Sequence, residues 1–345
     1  MGEMTDDLLE YCSCNILFVP LGDINAKELE KYFQTFSKIS TFSISDLTLN
    51  FAHQSIHNLI IDCYSDGKND SKMYAKYFQR SMFEDGKKLG FQSVQAVIGV
   101  IHCPSTESVA REYENYLKFL EEFQLGNVVK RCFAFEPDES ELDQENDIIV
   151  VPNQGNLLDF YVQTLLSDLM SEVIGESLKQ IKLIESEFAV SPIDKKDVSH
   201  HEKFGRNNKI IGDLYLLIGS LPEAISCYIS ASAYCKSASE YLCLANATEK
   251  LYLSLYLKEL HAGTKNAEEM FQLYPEKYSE ILNLYAKSNS YTETMAAYFR
   301  AASILFKLGQ KSEMGILLNN LWSIYENLDF TQKVFFFIIL AEFFV

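Results

Sequence analysis

The sequence predicts an α/β layer followed by an all-helical array of stacked hairpins, and three observations carry this expectation. Short β-rich runs alternate with amphipathic stretches through the first half of the chain. From about Phe204 onward the apolar spacing is close to 3.6 residues throughout. In that second region small residues (Gly212, Gly219, Ala224 and Ala231) are set against large ones (Tyr215 and Tyr228), with Pro222 between the two halves.

The elements follow in order. "NILFVPLG" reads as a strand closed by Pro and Gly, and "AKELEKYFQTFSKI" as a helix carrying Leu29, Tyr32, Phe33 and Phe36 on one face. "STFSISDL" and "HNLIIDCYS" read as strands, and "SKMYAKYFQRSMFEDGKKLG" as a helix ending at Gly90. "SVQAVIGVIHC" is a buried strand, "ESVAREYENYLKFLEEFQ" an amphipathic helix and "VVKRCFAFEP" a strand. "EPDESELDQENDIIVVP" holds seven acids and no base, the composition of a solvated loop. "LLDFYVQTLLSDLMSEVIGESLKQIKLIES" is a long helix. The polar "FAVSPIDKKDVSHHEKFGRN", with Pro192, reads as a linker, which divides the chain into an α/β domain over 1–198 and a helical domain over 199–345.

Composition narrows the classes of function. A net charge of −18 over 345 residues argues against general affinity for nucleic acid and against adhesion to anionic lipid by the bulk surface, and leaves only a local basic patch open. The eight cysteines lie in apolar runs such as "LIIDCY" and do not form a disulfide framework. No basic segment leading into an apolar one opens the chain, so a reduced, cytoplasmic protein is expected. The last stretch, "TQKVFFFIILAEFFV", is too short and too interrupted by Glu342 to span a bilayer. It reads as a terminal helix exposing Phe335, Phe336, Phe337, Phe343 and Phe344, and the whole chain as the front part of a longer protein.

The small/large alternation has a packing reason. Two antiparallel helices approach closely only where small residues on one admit large residues from the other. Counted from Gly205 in a 34-residue unit, Gly212, Tyr215, Ala224, Tyr228 and Ala231 fall on the schedule of a tetratricopeptide hairpin. Asn208 stands in place of the usual Trp and Lys236 in place of the closing Pro. The pattern returns loosely from Tyr278 to Trp322, with a turn after Lys287 and Ala296, Ala297, Ala301 and Ala302 as its small face. A tetratricopeptide-like α-solenoid is therefore expected, and such arrays bind proteins.

The segment "FGRNNKIIGDLYLLIGSLPEAISCYISASAYCKSASEYLCLANATEKLY" also resembles the start of the solenoid in the large TRAPP II-specific subunit family, whose animal member is called the NIK- and IKK-beta-binding protein. The family's GR-x₂-K-x-x-GD motif is met by Gly205, Arg206, Lys209, Gly212 and Asp213. "SPIDKKD" is similar to its P-x-E-K-K-D, "EYLCLANATEKL" is a weakened form of the run that follows, and "AEFF" matches a later helix. The "VPLG" and "ISDLT" segments are also similar. The resemblance implies a GTPase-like N-terminal layer, with β-sandwich domains following residue 345 in the longer protein. It further implies a non-catalytic scaffold in a complex that tethers vesicles and exchanges nucleotide on Rab GTPases. The partners would be other TRAPP subunits, a Rab reached through the complex, and Golgi and endosomal membranes contacted peripherally.

The signatures of chemistry are incomplete beside this resemblance. A phosphate loop needs G-x-x-x-x-G-K-[ST]; Gly67-Lys68 and Gly86-Lys87 lack the upstream glycine and the hydroxyl, and "PLGDIN" puts an acid after the first strand. His53 and His57 stand four apart but lead into a strand, and Cys12 and Cys14 lack zinc-knuckle spacing. His200 and His201 read as linker residues. Ser167, Ser186 and Ser226 do not sit in a nucleophile turn. No catalytic, metal or cofactor residue is expected. The competing readings are a nucleotide-binding or hydrolytic α/β enzyme, and a generic tetratricopeptide adaptor whose carboxylate clamp would use Asn208 and Lys209.

Overall fold

The computed structural model describes residues 12–48, 72–80, 93–102, 106–125, 128–135, 148–151, 156–189 and 198–342. The described residues form two compact units, one built on a sheet and ending at Leu178, the other starting at Lys179 and including Cys12. The strand expected at "HNLIIDCYS" lies outside the described residues.

The sheet has six described strands: β1 (Cys14–Leu21), β2 (Thr41–Ser43), β3 (Lys72–Gln79), β4 (Ala96–His102), β5 (Val129–Phe135) and β6 (Ile148–Val151). Their order is β2-β3-β1-β4-β5-β6. β1 pairs in parallel with β3 and β4, β5 continues in parallel from β4 and β6 from β5, and β2 runs antiparallel to β3. The helices of this unit are α1 (Ala26–Ser37), α2 (Ile44–Thr48), α3 (Thr106–Glu122) and the part of α4 (Asn156–Ala189) up to Leu178.

A parallel strand covered on both faces needs a continuous apolar run, and β4 buries every residue from Ala96 to Ile101. On one face, Tyr32 of α1 stacks on Phe135 at 4.1 Å and Phe36 on Phe133 at 5.6 Å. On the other, Val109, Tyr116, Phe119 and Leu120 of α3 pack with Leu17, Val19, Val97 and Ile101. Tyr116 can lie close there because β4 carries Gly99, where a Cβ would come within 3.1 Å of its ring. Its hydroxyl donates to the Val97 and Arg131 carbonyls at 3.1 and 3.3 Å.

Three local expectations are corrected. Lys72–Gln79 is a strand, not the start of a helix: the aromatic-rich "KMYAKYFQ" satisfies both periods, and pairing with β1 decides. "ISDLT" is a short helix, since Ser43 ahead of it and Asp46 in its first turn are helix-starting residues. The apolar end of the acidic stretch, Ile148–Val151, adds β6 to the sheet edge.

The second unit contains α5 (Val198–Leu217), α6 (Leu221–Ala238), α7 (Tyr241–His261), α8 (Asn266–Gln272), α9 (Tyr274–Lys287), α10 (Tyr291–Lys307), α11 (Lys311–Tyr325) and α12 (Phe330–Glu342). The polar segment read as a linker is helical from Val198, because Phe204 and Gly205 bury one side of it. Packing runs α5–α6–α7–α9–α10–α11, with α7 also against α5 and α12 against α10. Left-handed residues mark the turns: Gly219, Ser239, Gly263, Asn289 and Gly309. In α12, Phe336 is buried among Phe299, Trp322 and Tyr325, contrary to its expected exposure, whereas Phe337 remains 48% exposed. Phe343 and Phe344, and the side chain of Phe335, lie outside the described residues.

The Gly99–Tyr116 contact can be tested. Gly99→Val pushes a branched side chain into the ring and should destabilise the sheet unit by ~1–3 kcal/mol, read as an earlier thermal transition in near-ultraviolet circular dichroism. A transition unchanged in midpoint would show that α3 does not depend on this approach.

Candidate functional site

The GR-x₂-K-x-x-GD residues converge on the α5–α6 hairpin, and each has a partner. Gly212 faces Tyr228, whose Cε1 would lie 2.8 Å from a Cβ at that position; Gly205 faces Cys235, whose Sγ would lie 2.5 Å from one. Two glycines one heptad apart therefore let α6 close onto α5. Ala224 and Ala231 are fully buried on α6. The Tyr228 hydroxyl donates to Asp213 Oδ1 at 2.7 Å, and Lys209 Nζ lies 2.6 Å from Asp213 Oδ2. Burial, and then the Asp213 carboxylate, push the Tyr228 phenol well above its ordinary range. Arg206 reaches Glu202 at 2.5 Å on its own helix and Glu240 at 2.6 Å across the turn that follows α6.

The turns are built to match. After α5, Gly219 takes φ 76°, the Ser220 N–H donates to the Tyr215 carbonyl at 2.8 Å, and Pro222 starts α6 where no N–H is needed. After α6, Ser239 takes φ 59° and the Glu240 N–H donates to the Cys235 carbonyl at 2.9 Å.

A second polar cluster joins α7, α9 and α10. Arg300 holds Glu249 through two bonds, Nε to Oε1 and Nη2 to Oε2, each 2.7 Å. The hydroxyls of Tyr285 and Tyr278 donate to the same carboxylate, the former at 2.5 Å. The two charged side chains are largely buried, 19% and 13% exposed for Arg300 and Glu249. Burial opposes the Glu249 charge, yet the guanidinium and the phenols outweigh it and hold the carboxyl below the usual range. This cluster escapes sequence reasoning. Its one local signal is Arg300, a lone cation in "TMAAYFRAASILF" beside the small face of Ala297, Ala301 and Ala302. Beyond the cluster, Tyr278, Leu282, Ala301, Leu305, Ile316 and Leu317 line an open apolar groove.

The residues weighed for chemistry are dispersed. Asn208 donates to the Phe204 carbonyl at 2.9 Å and Lys209 pairs with Asp213, so both are engaged within α5. His200 and His201 lie on α5 and not in a linker; His201 bonds to the Ser237 hydroxyl at 2.8 Å. Cys12 and Cys14 are buried, and burial pushes each thiol up to about 12. Ser167 and Ser186 donate to the Gln163 and Leu183 carbonyls of their own helix. Ser226, on α6, accepts at its carbonyl from the Ser230 hydroxyl. His53, His57, Gly67-Lys68 and Gly86-Lys87 lie outside the described residues.

The loop after β1 is where a parallel sheet of this order would present a ligand. There the Asn25 side chain accepts from the Lys27 and Glu28 N–H groups at 3.1 and 3.0 Å and donates to Glu28 Oε2 at 2.7 Å. Glu28 Oε2 also lies 3.3 Å from His102 Nε2 at the end of β4, and Tyr32 bonds to the other ring nitrogen at 2.9 Å. The first amides of α1 thus already serve a side chain, next to a carboxylate.

Comparison with known proteins bears out the resemblance. The family described as Trs120/TRAPPC9, N-terminal domain, matches residues 176–264, which include the whole α5–α6–α7 cluster. Over 291 residues the chain is 25% identical to the Trafficking protein particle complex II-specific subunit 120 homolog of Arabidopsis thaliana, covering 79% of this chain and 24% of that protein. It is 26% identical over 214 residues to the homolog of the same description in Oryza sativa subsp. japonica, covering 57% and 18% respectively. The chain thus spans about a quarter or less of the relatives it matches.

Both clusters are open to mutation. Gly212→Leu drives a side chain into Tyr228 and should cost ~1–3 kcal/mol or more, lowering the helical melt; an unchanged melt would mean the hairpin register is wrong. Glu249→Gln leaves a buried guanidinium without its counter-charge and should cost about 3–5 kcal/mol in chemical denaturation. Because folding lowers the Glu249 pKa, its contribution is complete above the unfolded value, about 4.3, and is lost as pH falls through the lower folded value. The variant should therefore approach the parent chain in strong acid, and a stability difference independent of pH would contradict the assignment.

Proposed function

We propose that this chain acts as a non-catalytic scaffold in a TRAPP II-type complex, the tether and Rab nucleotide-exchange assembly of Golgi and endosomal traffic. The single observation that carries the reading is the coincidence of the family match over 176–264 with the α5–α6–α7 cluster. The motif residues there serve helix packing, which is what a scaffold asks of them.

In this proposal the region from 199 onward is a tetratricopeptide-like solenoid, supported by neighbour-to-neighbour packing and by a left-handed residue at each turn named above. The region up to 198 is a GTPase-like layer that has given up its nucleotide. Support comes from the capped amides of α1 and the Glu28 carboxylate beside them, a setting that repels phosphate. Exchange chemistry belongs to other subunits, the Rab is met through the complex, and membrane contact is peripheral.

The test is affinity capture of the tagged chain from cells of its source, with TRAPP subunits quantified by mass spectrometry. Recovery of several TRAPP subunits, reduced at least severalfold by Gly212→Leu at equal expression, is expected; recovery of none would overturn the scaffold role. Calorimetric titration with GTP and with ATP should show no saturable heat. Stoichiometric binding of either would restore the enzyme reading.

A further inference from the structure

The α6–α7 turn brings two thiols together. Cys235 lies in the last turn of α6 and Cys243 is the third residue of α7, with left-handed Ser239 reversing the chain between them. The two pack with Leu244 in one apolar cluster, Cys235 fully buried and Cys243 8% exposed. Both are free thiols, and each is the other's side-chain hydrogen-bond partner. The Cys235 sulfur is held in place by α5, since the missing side chain of Gly205 makes room for it against that backbone. We propose that Cys235 and Cys243 form a reversible oxidation site, which a hydroperoxide converts into a disulfide across the α6–α7 turn.

The surroundings assign the order of events. Cys243 sits in the first turn of α7, where the helix presents unpaired N–H groups and partial positive charge. The bond from Cys235 lowers the Cys243 pKa, burial and Glu240 oppose this, and Lys209 and Arg206 on α5 support it. Cys235, the donor of that bond, is pushed up. Placed at the helix N-terminus and the more exposed of the two, Cys243 is the attacking thiolate and Cys235 the resolving thiol. The Cys243 sulfur displaces the distal peroxide oxygen; the O–O bond breaks, and hydroxide leaves and takes up the proton that Cys243 gave up, leaving Cys243 as a sulfenic acid. The Cys235 sulfur then attacks the Cys243 sulfur, the S–O bond breaks, and the departing hydroxide takes the Cys235 proton. Two thiols and one peroxide become one disulfide and two waters, each sulfur giving up one electron. A glutathione-type thiol reverses the reaction by exchange.

Trypsin cleavage after Lys209, Lys236 and Lys250 puts Cys235 in peptide 210–236, with Cys227, and Cys243 in peptide 237–250. The full chain is treated with stoichiometric hydrogen peroxide, quenched with N-ethylmaleimide under denaturing conditions, digested without reductant and mapped by mass spectrometry. The expected result is a linked pair of these peptides, lighter by two hydrogens than their sum, with fragmentation placing the bridge at Cys235 and glutathione abolishing it. Cys227→Ser should retain the link and Cys243→Ser should lose it. The proposal is overturned if both thiols remain alkylatable after peroxide, if Cys227 carries the bridge, or if dimedone traps Cys243 while Cys235 stays free. The parent-chain map decides the matter even if a serine variant folds poorly.

Discussion

The approach of α6 to α5 at Gly212 is the constraint on which the helical unit depends. A Cβ at that position would overlap the Tyr228 ring, so the absence of a side chain sets the distance between the helices. Closing that distance buries Ala224, Ala231 and Cys235 completely and brings the Tyr228 hydroxyl onto Asp213. The next helix is then placed through Glu240, whose carboxylate meets Arg206 of α5 across the turn. Five motif residues thus act as one joint, in which the glycines set proximity and the charged residues satisfy what that proximity buries.

The sheet unit obeys the same logic with other residues. Gly99 admits Tyr116 to the surface of β4, and the phenol then bonds to carbonyls on two neighbouring strands. In both units one glycine and one tyrosine fix how closely a helix can approach its support. An aromatic ring contributes large apolar area there, and its hydroxyl finds a partner, as a buried phenol must.

Much of this is legible in the sequence because it depends on local spacing. β1, β4, β5, α1, α3 and α4 follow from apolar runs and helical periods, and the small/large schedule locates the α5–α6 hairpin. β3 reads wrongly as a helix because "KMYAKYFQ" fits two periods, and only its partner β1, far away in sequence, decides between them. β6 is hidden because its four residues end an acidic stretch, and the helical start at Val198 because a polar composition masks it. The Glu249–Arg300 pair is invisible for a stronger reason: the partners are 51 residues apart, and no local pattern announces a contact made by stacking.

That pair carries a meaning beyond holding helices together. An array of alternating small and large residues has many stackings of similar apolar area, since one alanine stripe accepts a tyrosine about as well as the next. Arg300 removes this degeneracy. In one arrangement the guanidinium meets a carboxylate that two phenols also serve; any stacking shifted by a turn leaves a bare cation out of water. Its main effect is therefore on the competitors of the native state, by making the wrong alignments of α10 on α7 too costly to populate.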